Sequence, residues 1–99
     1  MAVTITVRAR LKGDPASMQR VHDEVTRATM EAAKRAGDIS HRALLNPQDR
    51  REILVIDEWQ TAEQARAFSE DPRIEEFFAQ LFDGPPEVTA WVDPGWNRW

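Results

Sequence analysis

Between residues 2 and 11 the side chains alternate, with Val3, Ile5, Val7, Ala9 and Leu11 on one side and Thr4, Thr6, Arg8 and Arg10 on the other. A pleated strand sends successive side chains to opposite faces, so this segment is a half-buried β-strand. The period then changes. Lys12-Gly13-Asp14-Pro15 supplies a turn, an N-cap and a proline suited to the first helical position. Met18, Val21, Val25, Ala28, Ala32 and Ala36 follow at three- and four-residue intervals, and Gly37 ends the run. That spacing predicts a helix with one apolar face and a glycine stop.

Residues 39–45 and 52–59 are rich in branched and aromatic side chains and flank a polar, proline-containing loop at 46–51, so they read as a hairpin. Thr61 with Gln64 three residues later is a capping-box signature that opens a helix through Ala65 and Phe68. Asp71-Pro72 starts a second helical piece carrying Ile74, Phe77, Phe78, Leu81 and Phe82, which Asp83-Gly84-Pro85-Pro86 ends. A last short strand is expected at 88–92, and Asp93-Pro94-Gly95 separates it from a tail at 96–99. The whole chain, 1–99, is one domain. Its order is β-α-β-β-α-β, an α+β chain for which the chain-connection rules favour a ferredoxin-like, four-stranded antiparallel sheet with the helices on one face.

Composition removes several classes of function. There is no Cys, so disulfides and thiolate metal sites are excluded, and two distant His with one Asp are too few for any other metal site. A formal charge of -4, with Arg scattered among acids, is the wrong balance for nucleic acid. No apolar run reaches the ~20 residues of a membrane helix, and the alternating start is not a signal-peptide core, so the expectation is a cytoplasmic protein with no membrane contact. The strands are apolar on their second face as well, through Leu44, Leu54, Ile56 and Trp91. Leaving that face wet would expose a patch of several hundred square ångströms, so a homodimer formed by sheet-to-sheet packing is expected. Arg42, Glu58, Arg8 and Arg10 on the same face read as an interface charge network.

Closing the hairpin with Leu45 opposite Ile53 pairs Ala43 with Val55, His41 with Asp57, and Ile39 with Trp59, all on one face. Asp57 would then fix the tautomer of His41 and raise its basicity, leaving the other ring nitrogen free to take a proton. Trp59 would wall the site, and His22, at the edge of the apolar helix face, would reach the same cavity or remain half exposed. The competing reading is a polar pair that satisfies itself in a small core, with Trp59 filling volume.

The stretch from Gly37 to Phe78, in particular Asp57-Glu58-Trp59 followed at once by Thr61, resembles the central block of the antibiotic-biosynthesis-monooxygenase-like family of dimeric α/β barrels. The resemblance implies a homodimer whose sheets pack into a barrel, each subunit holding a pocket between sheet and helices. Its members include cofactor-free oxygenases of aromatic polyketide intermediates, quinol oxygenases, haem-degrading enzymes and isomerase-like proteins. The haem-degrading pattern needs an Asn on the first strand and a His on the second helix. Here the first strand has no Asn, and the helix position falls near Ser69, so no haem and no other cofactor is expected. The chain also has no Tyr, which removes any mechanism with a tyrosine proton donor. The expectation is a cofactor-independent monooxygenase acting on a small aromatic, polyketide- or quinol-like molecule. His41 and Asp57 would be catalytic, and Trp59, His22 and Phe68 would line the substrate pocket. A cyclase or isomerase using the same base, and a non-catalytic ligand-binding dimer, are the alternatives. Trp96 and Trp99 are expected to pack across the dimer or to cap the pocket.

Overall fold

The alternating and helical segments form the elements their periods specify. The computed structural model describes all 99 residues, Met1–Trp99. In chain order these are β1 (Val3–Arg10), α1 (Pro15–Ala36), β2 (Asp38–Leu45), β3 (Glu52–Trp59), α2 (Ala62–Ser69), α3 (Pro72–Leu81) and β4 (Glu87–Trp91). The strands form one sheet in the order β2-β3-β1-β4, with every neighbouring pair antiparallel. This is the ferredoxin-like arrangement, in which each helical connection carries the chain over a neighbouring strand.

The helix starts are set by side chains. Asp14 accepts from the Ser17 N–H, Thr61 from the Gln64 N–H, and Asp71 from the Arg73 N–H, and each relieves a donor that the first helical turn leaves unpaired. The capping box at Thr61 is one-sided. The Gln64 side chain lies against Gly37, and its buried Oε1 has no partner.

The core falls into two clusters on the helix-facing side of the sheet. Val7, Leu11, Ile53, Leu81 and Phe82 form one, and Val3, Trp59 and Ala65 the other, with half-buried Ile5 packed against both. Backbone bonds from Lys12 N–H to Leu81 O and from Asp83 N–H to Arg10 O tie the end of α3 to the end of β1. By contrast α1, 22 residues long, has no buried residue.

β2 departs from the expected register. Leu45 faces Ile53, Ala43 faces Val55 and His41 faces Asp57, but Trp59 faces Asp38, not Ile39. The cause lies at the two ends of the strand. The hairpin end sets one register, while at the other end the Gln60 N–H donates to Gly37 O and sets a register one residue out of step. Ile39 is the extra residue, a β-bulge that leaves it half exposed and turns Asp38 onto the inner face. The last strand begins one residue earlier than the spacing predicts and ends at Trp91.

On the outer face, two of the cations expected at a subunit interface are paired within the chain, Arg8 with Glu52 at 2.7 Å and Arg10 with Asp49 at 2.9 Å. Trp91 lies across the sheet and donates its Nε1–H to Thr6 Oγ1 at 2.8 Å. Trp96 and Trp99 are exposed. No helix is long and apolar enough to cross a membrane.

Gly37 has φ 118°, and a Cβ there would collide with the Gln64 side chain. Gly37→Ala therefore lowers unfolding stability by ~1–3 kcal/mol in urea titrations. Gly84→Ala, with similarly positive φ but open space around it, costs less.

Candidate functional site

Between α1 and the inner face of the sheet lies a cavity of about 530 Å³. The sheet contributes Ile5, Val7 and Val55, α1 contributes Thr26, Met30 and Ala33, and α2 and α3 contribute Phe68, Ile74 and Phe77. The volume suits a small organic molecule, and the wall is mostly apolar, as ligand pockets usually are. Residues of both core clusters line the cavity, Val7, Leu81 and Phe82 of one and Trp59 and Ala65 of the other.

All five residues singled out from the sequence line this cavity: His22, His41, Asp57, Trp59 and Phe68. Trp59, 4 % exposed, belongs to the core cluster and also faces the cavity. Its ring meets Phe68 at 5.3 Å between centres and a 47° tilt, an aromatic corner against which a flat molecule can stack. Neither Trp96 nor Trp99 lines the cavity, so within one chain the tail does not cap it.

His41 Nδ1 lies 2.7 Å from Asp57 Oδ1, as the facing register requires. The hydrogen bond to Asp57 raises the His41 pKa above its ordinary value, and partial burial opposes the shift without cancelling it. The second ring nitrogen is not free, contrary to the sequence expectation. His41 Nε2 lies 2.9 Å from His22 Nε2, and His22 Nδ1 lies 3.0 Å from Asp23 Oδ1. Helix α1 thus extends the dyad into a four-membered chain, Asp57–His41–His22–Asp23. The hydrogen bond from His22 holds the solvent-exposed Asp23 carboxyl below its usual range.

Asp38 was not foreseen. The bulge places it on the cavity wall beside Asp57 and His41. Burial first, and then the adjacent Asp57 carboxylate, push its carboxyl up to about 8, and its buried Oδ1 has no partner. Both causes favour the neutral acid, the form that can donate a hydrogen bond, at this edge of the apolar cavity. Strand alternation gave no signal for it, because a regular strand would have turned Ile39 inward and Asp38 outward. Asp23 was missed because its relevance depends on where His22 points. The carboxylates and imidazoles do not converge on a common point that could hold a metal ion.

Residues 4–80 match the family model described as antibiotic biosynthesis monooxygenase. No curated protein sequence matches significantly. Among solved structures, the chain is similar to SnoaB of Streptomyces nogalater, described as a cofactor-independent oxygenase, at 19 % identity and TM-score 0.72, over 93 % of this chain and 92 % of that one. The monooxygenase ActVA-Orf6 of Streptomyces coelicolor, solved with nanaomycin D, aligns at 19 % identity and TM-score 0.75, over 98 % and 91 % of the two chains. A protein of Bordetella bronchiseptica assigned to the same family aligns at 13 % identity and TM-score 0.77, over 93 % and 96 %. At these identities the structural matches speak to the fold, whereas the family match spans most of the chain: the protein belongs to the antibiotic biosynthesis monooxygenase family.

Proposed function

We propose that this chain is a cofactor-independent monooxygenase acting on a small, electron-rich aromatic molecule with an acidic C–H or O–H, such as an anthrone-like compound. The observation that carries the reading is the His41–Asp57 pair on the wall of an apolar cavity, facing the Trp59–Phe68 corner. SnoaB and ActVA-Orf6, described as oxygenase and monooxygenase, support the same class of chemistry.

The substrate ring stacks at Trp59 and Phe68 and displaces water from the apolar wall. His41, oriented by Asp57 and released at Nε2 from His22, takes one proton from the ring methylene. Neutral Asp38 donates a hydrogen bond to the oxygen on which negative charge collects. The resulting carbanion passes one electron to dioxygen, and the radical pair recombines into a C–O bond. The base returns its proton to the distal peroxide oxygen. Loss of the second ring C–H proton with cleavage of the O–O bond then yields a carbonyl and one water. One CH2 and one O2 become one C=O and one H2O, so no external electron donor enters.

The exposed outer face, with Leu44 and Trp91 above half-buried Leu54 and Ile56, supports a homodimer through sheet-to-sheet packing. The exposed Trp96 and Trp99 are then available to the partner.

Oxygen-electrode measurements on a panel of anthrone-like and phenolic compounds should show uptake of one O2 per product formed. His41→Ala should lower turnover by roughly 10²–10⁴-fold with the fold intact. Product formed without oxygen uptake would assign the site to an isomerase or cyclase, and full activity in His41→Ala would remove the base.

A neutral Asp38 also predicts how stability changes with pH. Burial and the adjacent Asp57 push its carboxyl from the ordinary 3.8 up to about 8 in the fold. Between those values the unfolded chain releases a proton that the folded chain keeps, so this group's contribution to stability falls as pH rises through the window. Asn cannot ionise. The melting temperature of Asp38→Asn relative to the parent should therefore climb across that range. A difference that does not grow with pH contradicts a neutral Asp38.

Leu44→Glu combined with Trp91→Glu should convert a dimer to a monomer in sedimentation velocity, with the single-chain circular dichroism retained. An unchanged sedimentation coefficient would place any interface elsewhere.

A further inference from the structure

The Asp57–His41–His22–Asp23 chain fixes how many protons the two imidazoles hold. A carboxylate only accepts hydrogen bonds, so Nδ1 of His41, facing Asp57, and Nδ1 of His22, facing Asp23, must each carry a hydrogen. The two Nε2 atoms, 2.9 Å apart, then need one hydrogen between them. With none, two lone pairs face each other. With two, the N–H groups collide and two like charges stand with ring centres only 5.1 Å apart. The pair therefore holds three protons on four nitrogens and carries one shared positive charge, flanked by two carboxylates.

The ring geometry supports a real hydrogen bond. The rings are inclined by only 16°, and their 5.1 Å centre separation exceeds the N···N distance by about two ring radii. The imidazoles thus meet end to end, almost in one plane, with the shared proton on the line between them.

We propose that His22 and His41 act as one composite base, in which the proton taken from the substrate is the one held between their Nε2 atoms. The closed pair is the protonated form. When that proton leaves, the opposed lone pairs drive the rings apart and turn both nitrogens toward the cavity that both residues line. A substrate proton delivered there re-forms the N–H···N bond, and the charge spreads over two rings, each backed by its own carboxylate. Such sharing makes the conjugate acid more stable than a single His–Asp pair would be, and titration becomes a property of the pair.

The groups facing the pair are few. Helix α1 adds Asp23 beside His22 and Lys34 elsewhere on the cavity wall, β2 adds Asp38, and β3 adds Asp57. Helices α2 and α3 present Ala65, Phe68, Ser69, Ile74, Phe77 and Phe78, none of them charged, and the Phe77 ring centre lies 6.4 Å from that of His22. Lys34 disfavours extra positive charge in the cavity, and the carboxylates favour the single shared proton.

This inference rests on the proposed proton abstraction, but its test does not need a substrate. Nitrogen-15 NMR of the ligand-free protein across pH should show both imidazoles changing together in one step, with the proton lost from the two Nε2 positions and both Nδ1 sites still protonated. In His22→Phe, which keeps an aromatic ring against Phe77, His41 should lose its proton on the order of one pH unit lower. His22→Asn, whose amide oxygen can accept from His41 Nε2–H, should recover part of that shift. If a substrate is in hand, the limb of the kcat/KM profile that reports the base should move by the same amount. Independent titration of the two rings, or a His41 midpoint unchanged in both variants, overturns the composite base. Coupled titration without oxygen uptake leaves the shared proton standing and overturns only the oxygenase reading.

Discussion

Two backbone anchors at opposite ends of β2, one residue out of step with each other, determine most of what this chain can do chemically. The hairpin aligns Leu45 with Ile53, while the Gly37 carbonyl holds Gln60. The strand between them has one residue too many, and the bulge at Ile39 absorbs it. Below the bulge the facing register sets His41 against Asp57. Above it the reversed face brings Asp38 to the same wall. Gly37 makes this possible, because it ends α1 in a left-handed conformation and leaves room for Gln64. A regular strand would keep the dyad and lose the neutral acid.

The parts legible in the sequence were those governed by periodicity and by short-range caps. β1, the bounds of α1 and the bounds of β3 followed from alternation, from helical spacing and from Asp14 and Gly37. The His41–Asp57 contact was legible because antiparallel pairing keeps facing residues on one side. The misses share a physical cause. The bulge arises because one of the two anchors, the bond from Gln60 N–H to Gly37 O, joins residues more than twenty apart in sequence, and no local pattern records it. The contact of His22 with His41 depends on how α1 lies over the sheet, a tertiary matter that spacing along one helix does not specify. The partners of Arg8 and Arg10 within the chain, Glu52 and Asp49, are likewise distant in sequence and set by the sheet.

The site is electrostatically economical. Four ionisable groups, Asp23, His22, His41 and Asp57, form one hydrogen-bonded run from solvent to the cavity wall, and Asp38 sits beside its Asp57 end. At the wet end the Asp23 carboxyl is held below its usual range, on the cavity wall the Asp38 carboxyl is pushed up, and the imidazoles link Asp23 to Asp57. The two shifts run in the sense expected of a carboxyl in water and a carboxyl against an apolar wall. A chain of 99 residues cannot enclose a deep, charged active site and a full core together. This one has a core of two small clusters, and the chamber borrows its wall from both.

That division has a consequence for α1. The helix spans 22 residues, yet none of its side chains is buried, because the space beneath it is the chamber. Met18, Val21 and Ala36, toward its two ends, are the α1 side chains packed against the core clusters. A ligand that fills the chamber supplies the dispersion contacts a packed core would otherwise give. Binding and consolidation of the fold are then one process. A molecule lodged there would complete the packing beneath α1, so that affinity for it and stability of the fold would rise together.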